Sequence, residues 1–190
     1  MLAPLAAVLL FLAAIVSAFW YLRLEEMDRE QEAVKRDVEY AQQRVRLRLL
    51  ERQEQLMRLA RDISNKEVDP EEFMGRAEAM VAQYPELQIV TWIDDRRRII
   101  ASYAAPSVAP SQLRIAGEVL KPGETESMYS LAHDLQQPVY SQPAAGNDSS
   151  GQLQLHIPLS GKLRFTGVIL AEYSIDGLLR FGAPAEVSAK

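Results

Sequence analysis

Read for hydrophobic and polar positions, the chain opens on an unbroken apolar run. Leu2 to Leu22, LAPLAAVLLFLAAIVSAFWYL, holds no charged residue and is about the ~20 residues a helix needs to cross a bilayer core. Phe19, Trp20 and Tyr21 close the run, where amphipathic rings favour the headgroup level, and Arg23 follows at once. Pro4 lies in the first turn, where a missing N–H costs least. Val16-Ser17-Ala18 is a tolerable cleavage site, but no Lys or Arg precedes the run as in a secretory signal. The pattern predicts a retained transmembrane helix over residues 1–22. Everything after residue 22 is then expected outside the cytoplasm, an orientation inferred more from the downstream domain than from flanking charge.

From Arg23 to Ile63 there is neither Gly nor Pro. Apolar residues recur at Leu24, Met27, Val34, Val38, Ala41, Val45, Leu49, Leu56, Leu59 and Ile63. Gaps of three, four and seven describe one face of a helix. Ten acidic and ten basic residues lie mostly off that stripe, as on a solvated face laced with ion pairs; the run Arg44, Arg46, Arg48 and Arg52 could instead meet lipid headgroups. At ~1.5 Å per residue this stalk, residues 23–63, would extend on the order of 60 Å. So long a helix needs a partner surface for its stripe: the following domain, or the same helix of a second chain.

Beyond it the elements are short. Asp69 reads as an N-cap, with Pro70 at the first helical position and Glu72 closing a capping box, for a helix ending at about Tyr84 before Pro85. Leu87 to Ile93 and Arg98 to Tyr103 form a hairpin turned by Asp94 to Arg97, with Arg96-Arg97-Arg98 at its tip. Ala104 to Gly123 is proline-rich and reads as loop, with a short helical turn near Leu113 to Leu120. Glu124 to Leu135 is helical and Pro138 ends it; Val139-Tyr140-Ser141 is extended, and 144–151 is a flexible turn. Leu153, Leu155 and Ile157 alternate with Gln152, Gln154 and His156, as in a half-buried strand. Phe165 to Tyr173 is the most apolar strand and is expected at the centre of the sheet, beside the first one. A short helix, Gly177 to Phe181, and a polar tail, 183–190, close the chain.

Composition narrows the classes. Of 190 residues, 48% are hydrophobic and 25% charged, enough for a packed core and too ordered in type for global disorder. A net charge of −5 argues against nucleic acid as a partner, and the absence of Cys excludes disulfides and thiolate metal sites. There is no G-x-S-x-G, no Walker A loop and no H-E-x-x-H, so no enzyme and no cofactor is expected. The two histidines, His133 and His156, are too far apart in sequence to read as a metal pair.

Three segments carry a resemblance: LQIVTWIDDRRRIIASY at Leu87–Tyr103, QQPVYSQP with LQLHIPLS at Gln136–Pro143 and Leu153–Ser160, and TGVILAEYSIDGLLR at Thr166–Arg180. With the apolar run and stalk before them, they resemble the extracytoplasmic PAS-like (Cache/PDC) sensor domain of bacterial membrane sensor histidine kinases. The resemblance implies an α+β domain over 64–182. In it a five-stranded antiparallel sheet is flanked on one side by the long N-terminal helix. It also implies a small-molecule pocket on the sheet face covered by the connecting loop and helix. Receptors of this kind continue into a second span and a cytoplasmic transmitter. The stretch ending at Lys190 then reads as a receptor fragment, or as the first module of a longer extracytoplasmic region, with any kinase activity in the missing part.

On that layout the candidate ligand-binding residues are Trp92, Tyr103, Tyr129, His133, Tyr140, Ser141, His156 and Tyr173, although alternation sends Tyr140 and Ser141 to opposite faces. For each aromatic, plain core packing is the competing assignment. Arg114, Lys121 or Arg164 could meet an anionic ligand. His133-Asp134-Leu135-Gln136-Gln137-Pro138 resembles a phospho-acceptor box, but it lacks the long helical hairpin such a box requires, and His133 reads instead as a helix-end residue near the pocket. The expected partners are a membrane, a second copy of the chain along the stalk, and a small molecule. The alternative is a membrane-tethered assembly protein with a coiled-coil stalk and a ligand-free docking domain.

Overall fold

The computed structural model describes residues 38–121, 123–141, 151–161 and 164–182, together with Ser17, Trp20, Lys35 and Arg36. The predicted span at 1–22, most of the stripe before Val38, the turn at 144–150 and the tail at 183–190 lie outside the described residues. Among the described residues no helix is long and apolar enough to cross a membrane. The chain divides into two units, Met1–Gln43 and Arg44–Lys190. In the first, residues 38–43 are helical, with Val38 and Tyr40 exposed.

The second unit is α+β. Its first helix, α1, covers residues 44–64. Leu56, Leu59, Ala60 and Ile63 recur at helical spacing and are buried in the main core, so this end of the stripe faces its own domain. Lys66, at φ 63°, turns the chain out of α1 in a left-handed conformation. Helix α2 follows at Pro70–Gln83. Asp69 caps it as predicted, its side chain accepting from the Glu72 N–H at 2.8 Å. The Glu72 side chain, assigned to a capping box, takes another role: it accepts from Arg76 one turn on, at 2.7 Å and 3.1 Å, and Arg76 also reaches Asp62 of α1 at 2.6 Å.

Strands β1 (Leu87–Asp94), β2 (Ile99–Ala104), β3 (Val139–Tyr140), β4 (Gln152–Ser160) and β5 (Phe165–Ser174) form one antiparallel sheet in the order β2-β1-β5-β4-β3. The most apolar strand is indeed central and lies beside β1. Gly167 permits this pairing: its φ is +146°, and a Cβ there would fall on the Ile93 carbonyl oxygen of β1. Helix α3, Glu124–Leu135, ends at Gln136 in a left-handed cap. The closing helix α4, Ile175–Gly182, starts two residues earlier than predicted because the Ser174 hydroxyl accepts from the Gly177 N–H at 3.1 Å.

The turn predicted at 113–120 is not helical. A three-residue 3₁₀ turn forms earlier, at Pro110–Gln112. Residues 117–120 instead bond to the hairpin: Ile99 N–H to Glu118 O at 2.8 Å, Gly117 N–H to Ile99 O at 2.8 Å, and Leu120 N–H to Arg97 O at 2.9 Å. Backbone groups committed to a strand end are not free to close a helical turn.

Alternation along the strands gives the sheet two unlike faces. Val90, Trp92, Leu155, Ile157, Leu159, Ile169, Ala171 and Tyr173 meet α1 and α2 in the larger core. Ile93, Ile99, Val139, Val168 and Leu170 meet α3 and Leu120 of the connecting loop in a smaller one.

Candidate functional site

The face under the loop and α3 carries the polar chemistry. In β4 the alternation that sends Leu153, Leu155 and Ile157 toward the helices sends Gln154 and His156 the other way. Glu172 of β5 pairs in register with Gln154 on one side and Ile89 on the other, and shares their face. It is 1% exposed. A carboxylate so far from water requires compensation, and Arg114 of the connecting loop supplies it. The guanidinium donates through Nη2 to Oε1 at 2.8 Å and through Nε to Oε2 at 3.1 Å, a two-pronged contact. Gln154 Nε2 adds a third bond to Oε1 at 3.1 Å. Burial works against the Arg114 charge, but the hydrogen bonds and charge of Glu172 outweigh it and hold the guanidinium pKa above its ordinary value. One row further along the sheet, Thr91 and Ser102 share a hydroxyl–hydroxyl bond of 2.8 Å.

Beside this constellation lies a cavity of about 240 Å³, walled by Ser111 to Arg114, Glu118 to Lys121, Thr125, Ile99, Gln152, Gln154 and Glu172. Among the described residues, Gln154 Oε1 on the cavity wall is buried without a hydrogen-bond partner. His156 is fully buried. Burial lowers its pKa to about 4; the neighbouring Thr125 backbone pulls upward, and the Arg114 charge adds to the lowering. The imidazole is therefore neutral at pH 7.

The predicted candidates do not form a single site. Trp92, Tyr103, Tyr140 and Tyr173 lie on the helix face. Trp92 packs against Phe73 with ring centroids 5.8 Å apart, and the Tyr103 hydroxyl donates to Glu78 of α2 at 3.4 Å. Tyr140 donates to Gln53 of α1 at 3.0 Å, and burial pushes its pKa up to about 12. Among the described residues the Tyr173 hydroxyl is buried without a partner, and burial raises its pKa as well. It shares that end of the face with a buried Arg52–Glu86 ion pair of 3.5 Å, the Arg52 guanidinium stacking 3.5 Å above the Tyr84 ring. These four aromatics pack on the helix face and do not line the loop-side cavity. Ser141 is structural too: its hydroxyl accepts from the Gln154 N–H at 3.0 Å, prolonging the β3–β4 pairing.

Tyr129 and His133 face the loop side but border a different hollow. Tyr129 donates to the Asp94 carbonyl at 2.7 Å, and burial, ahead of the Asp94 and Asp95 charges, pushes its pKa up to about 12. His133 meets the Phe165 ring edge-on at 4.5 Å and pairs with Asp134 at 2.8 Å. They line an open hollow of about 970 Å³ with Asp95, Arg97 and Arg164, where Arg164 pairs with Asp95 at 3.3 Å. The arginine run is tied down in part, Arg97 to Glu126 of α3 and Arg98 to the Gly117 carbonyl at 3.5 Å. Of the eight predicted residues, His156 alone is buried on the strand face that carries the constellation, and none of the eight lines the cavity; of the three cations weighed, Arg114 and Lys121 do.

Glu172 and Gln154 escaped the sequence reading, which sought aromatic and histidine side chains. The signal was present: one carboxylate inside FTGVILAEYS, a strand otherwise fit for a core, and a Gln-x-Gln-x-His alternation on the strand beside it.

No family model matches the chain, and no curated protein matches it. Among solved structures it is similar to an extracellular ligand binding receptor from Desulfohalobium retbaense DSM5692, at 15% identity and a TM-score of 0.48, over 73% of this chain and 25% of that one. It is also similar to a methyl-accepting chemotaxis protein X, at 15% identity and a TM-score of 0.46, over 67% of this chain and 55% of that one. The chain thus spans a quarter of the length of the first and about half of the second.

Proposed function

We propose that the chain is the membrane-anchored, extracytoplasmic sensory module of a signalling receptor of the histidine-kinase type. A small molecule binds in the loop-face cavity, and the stalk helix relays the effect toward the bilayer. The observation that supports binding is the Glu172–Arg114–Gln154 constellation, with the unfilled Gln154 Oε1 on the cavity wall, under a loop, on the face opposite α1. Polar groups converging on a small cavity are what a ligand site requires, and a core built for stability alone gains nothing from them. The anchor is supported by the apolar run at 2–22, and the receptor class by the resemblance of the three quoted segments.

A second copy of the chain is part of the proposal. Leu56, Leu59 and Ile63 of α1 are buried in the domain, whereas Leu47 and Leu50 stay exposed. Exposed leucines on a helix suit a two-fold pairing along the stalk.

The test is a thermal-shift screen of the full chain in detergent against carboxylates, amino acids, amines and guanidines. A specific stabilisation, lost in Glu172→Gln, is expected by linkage. Silence across the screen overturns small-molecule sensing and leaves the assembly role. A topology reporter placing the domain in the cytoplasm overturns the extracytoplasmic assignment.

A further inference from the structure

We infer that the cavity is built for a small cation bearing N–H donors, a guanidinium first and a primary ammonium second, and that Arg114 occupies the place of that ligand when none is bound. This rests on the small-molecule reading above and names the ligand's chemistry.

Charge conservation carries the inference. Glu172 cannot reach water, so whatever enters must leave it compensated. An incoming anion that drew Arg114 away would strand a bare carboxylate in the sheet. An incoming guanidinium would exchange one two-pronged contact for another and leave the buried charge neutralised throughout. The displaced Arg114 can be hydrated where it stands, since its side chain is 28% exposed against 2% for Glu172. The other two charges on the cavity wall, Glu118 and Lys121, are of opposite sign and favour neither class.

The unfilled atom on the wall points the same way. Gln154 Oε1 can only accept. With the Glu172 carboxylate it forms a set of acceptors that Arg114, reaching in from the loop, satisfies in part. A ligand with several N–H groups satisfies more of them.

The loop is attached so that the exchange is possible. Among the described residues, the backbone bonds donated by 106–116 are local, each reaching back three residues, as from Val108 to Ala105 and Gln112 to Ala109. Leu113 and Ile115, on either side of Arg114, are 46% and 58% exposed. Neither anchors the loop by burial, so at this point its hold on the sheet is the ion pair itself. The stitches to β2 begin only at Gly117, and the segment before them can lift while those remain.

The experiment uses the full chain in detergent at matched ionic strength. Thermal unfolding of wild type, Arg114→Ala and Glu172→Gln is followed with methylguanidinium, methylammonium, tetramethylammonium or acetate. Methylguanidinium is expected to stabilise Arg114→Ala by several degrees, binding it at least ~10-fold more tightly than wild type because the internal competitor is gone. Methylammonium should act more weakly. Tetramethylammonium, with no N–H, and acetate should do nothing, and Glu172→Gln should respond to none of the four. In wild type, methylguanidinium should also speed amide hydrogen exchange in residues 106–116, a readout that survives if Arg114→Ala fails to fold. Stabilisation of wild type by acetate, abolished in Arg114→Ala, would overturn the inference and leave small-molecule binding standing. So would indifference to methylguanidinium together with a hit of another class in the wider screen. Silence in both experiments overturns the two together.

Discussion

The two faces of the sheet use the same strands for opposite purposes. The face toward α1 and α2 is lined by apolar side chains, and its polar groups, Arg52, Glu86, Tyr140 and Tyr173, gather at one end. The face toward the connecting loop and α3 has a smaller core and embeds a carboxylate, an amide and an imidazole among its strand positions. A period of two lets each residue be chosen for one face without disturbing the other. Among the described residues both faces bury polar atoms without a hydrogen-bond partner, Arg52 Nε, Glu86 Oε1 and the Tyr173 hydroxyl toward the helices and Gln154 Oε1 toward the loop, so what sets the loop side apart is a paired carboxylate bordering a cavity.

The strongest challenge to this contrast is truncation in each core. Phe73, fully buried on the helix face, is expected to cost about 4 kcal/mol when changed to Ala, against about 2 kcal/mol for Leu120→Ala under the loop. Equal losses in urea unfolding would dissolve the distinction. Next come the two ends of the buried ion pair. Arg114→Ala should cost about 3 kcal/mol because it strands Glu172, whereas Glu172→Gln should cost about 1 kcal/mol because Arg114 can be hydrated. The reverse order would show that the carboxylate, not the guanidinium, is the half that reaches water.

The loop face should also carry a pH dependence. The folded His156 pKa, about 4, lies below the ordinary 6.5, so the unfolded chain takes up the proton first. Stability is full above pH ~6.5 and is lost as pH falls toward 4, by roughly 3 kcal/mol from this group. Urea midpoints of His156→Gln should approach those of wild type between pH 7 and pH 4.5; parallel profiles would remove the buried imidazole as the cause. The smallest effects concern two tyrosine hydroxyls on the helix face. Tyr140→Phe loses the bond to Gln53 and should cost about 1 kcal/mol. Tyr173→Phe removes a hydroxyl with no partner, and calorimetry should find no loss, or a gain below about 1 kcal/mol.

Local signals in the sequence located most of the fold. Asp69-Pro70 marked the start of α2, the β-branched run at Leu87 marked the hairpin, and the apolarity of Phe165–Tyr173 placed β5 at the centre. What local pattern could not show was the hold of one segment on another. Residues 113–120 have enough apolar spacing for a helical turn, but hydrogen bonds to β2 claim them, with Gly117 at φ +90°. The site was harder for the same reason. Gln152, Gln154 and His156 read as a wet strand face because nothing in their own segment reveals the loop above them. The tyrosines and Trp92 looked like pocket linings because an aromatic ring serves a core and a pocket equally well. Glu172 was the better clue, being the residue whose burial no local rule explains.

The contact between Arg52 and Glu86 limits how the first helix can travel. A slide of one residue, about 1.5 Å along its axis, would disturb a 3.5 Å ion pair whose two side chains are 12% and 3% exposed. Pivoting about that point keeps the pair closed. Within the second unit, α1 is thereby tied down near its middle turns, at a point that accepts rotation more readily than sliding.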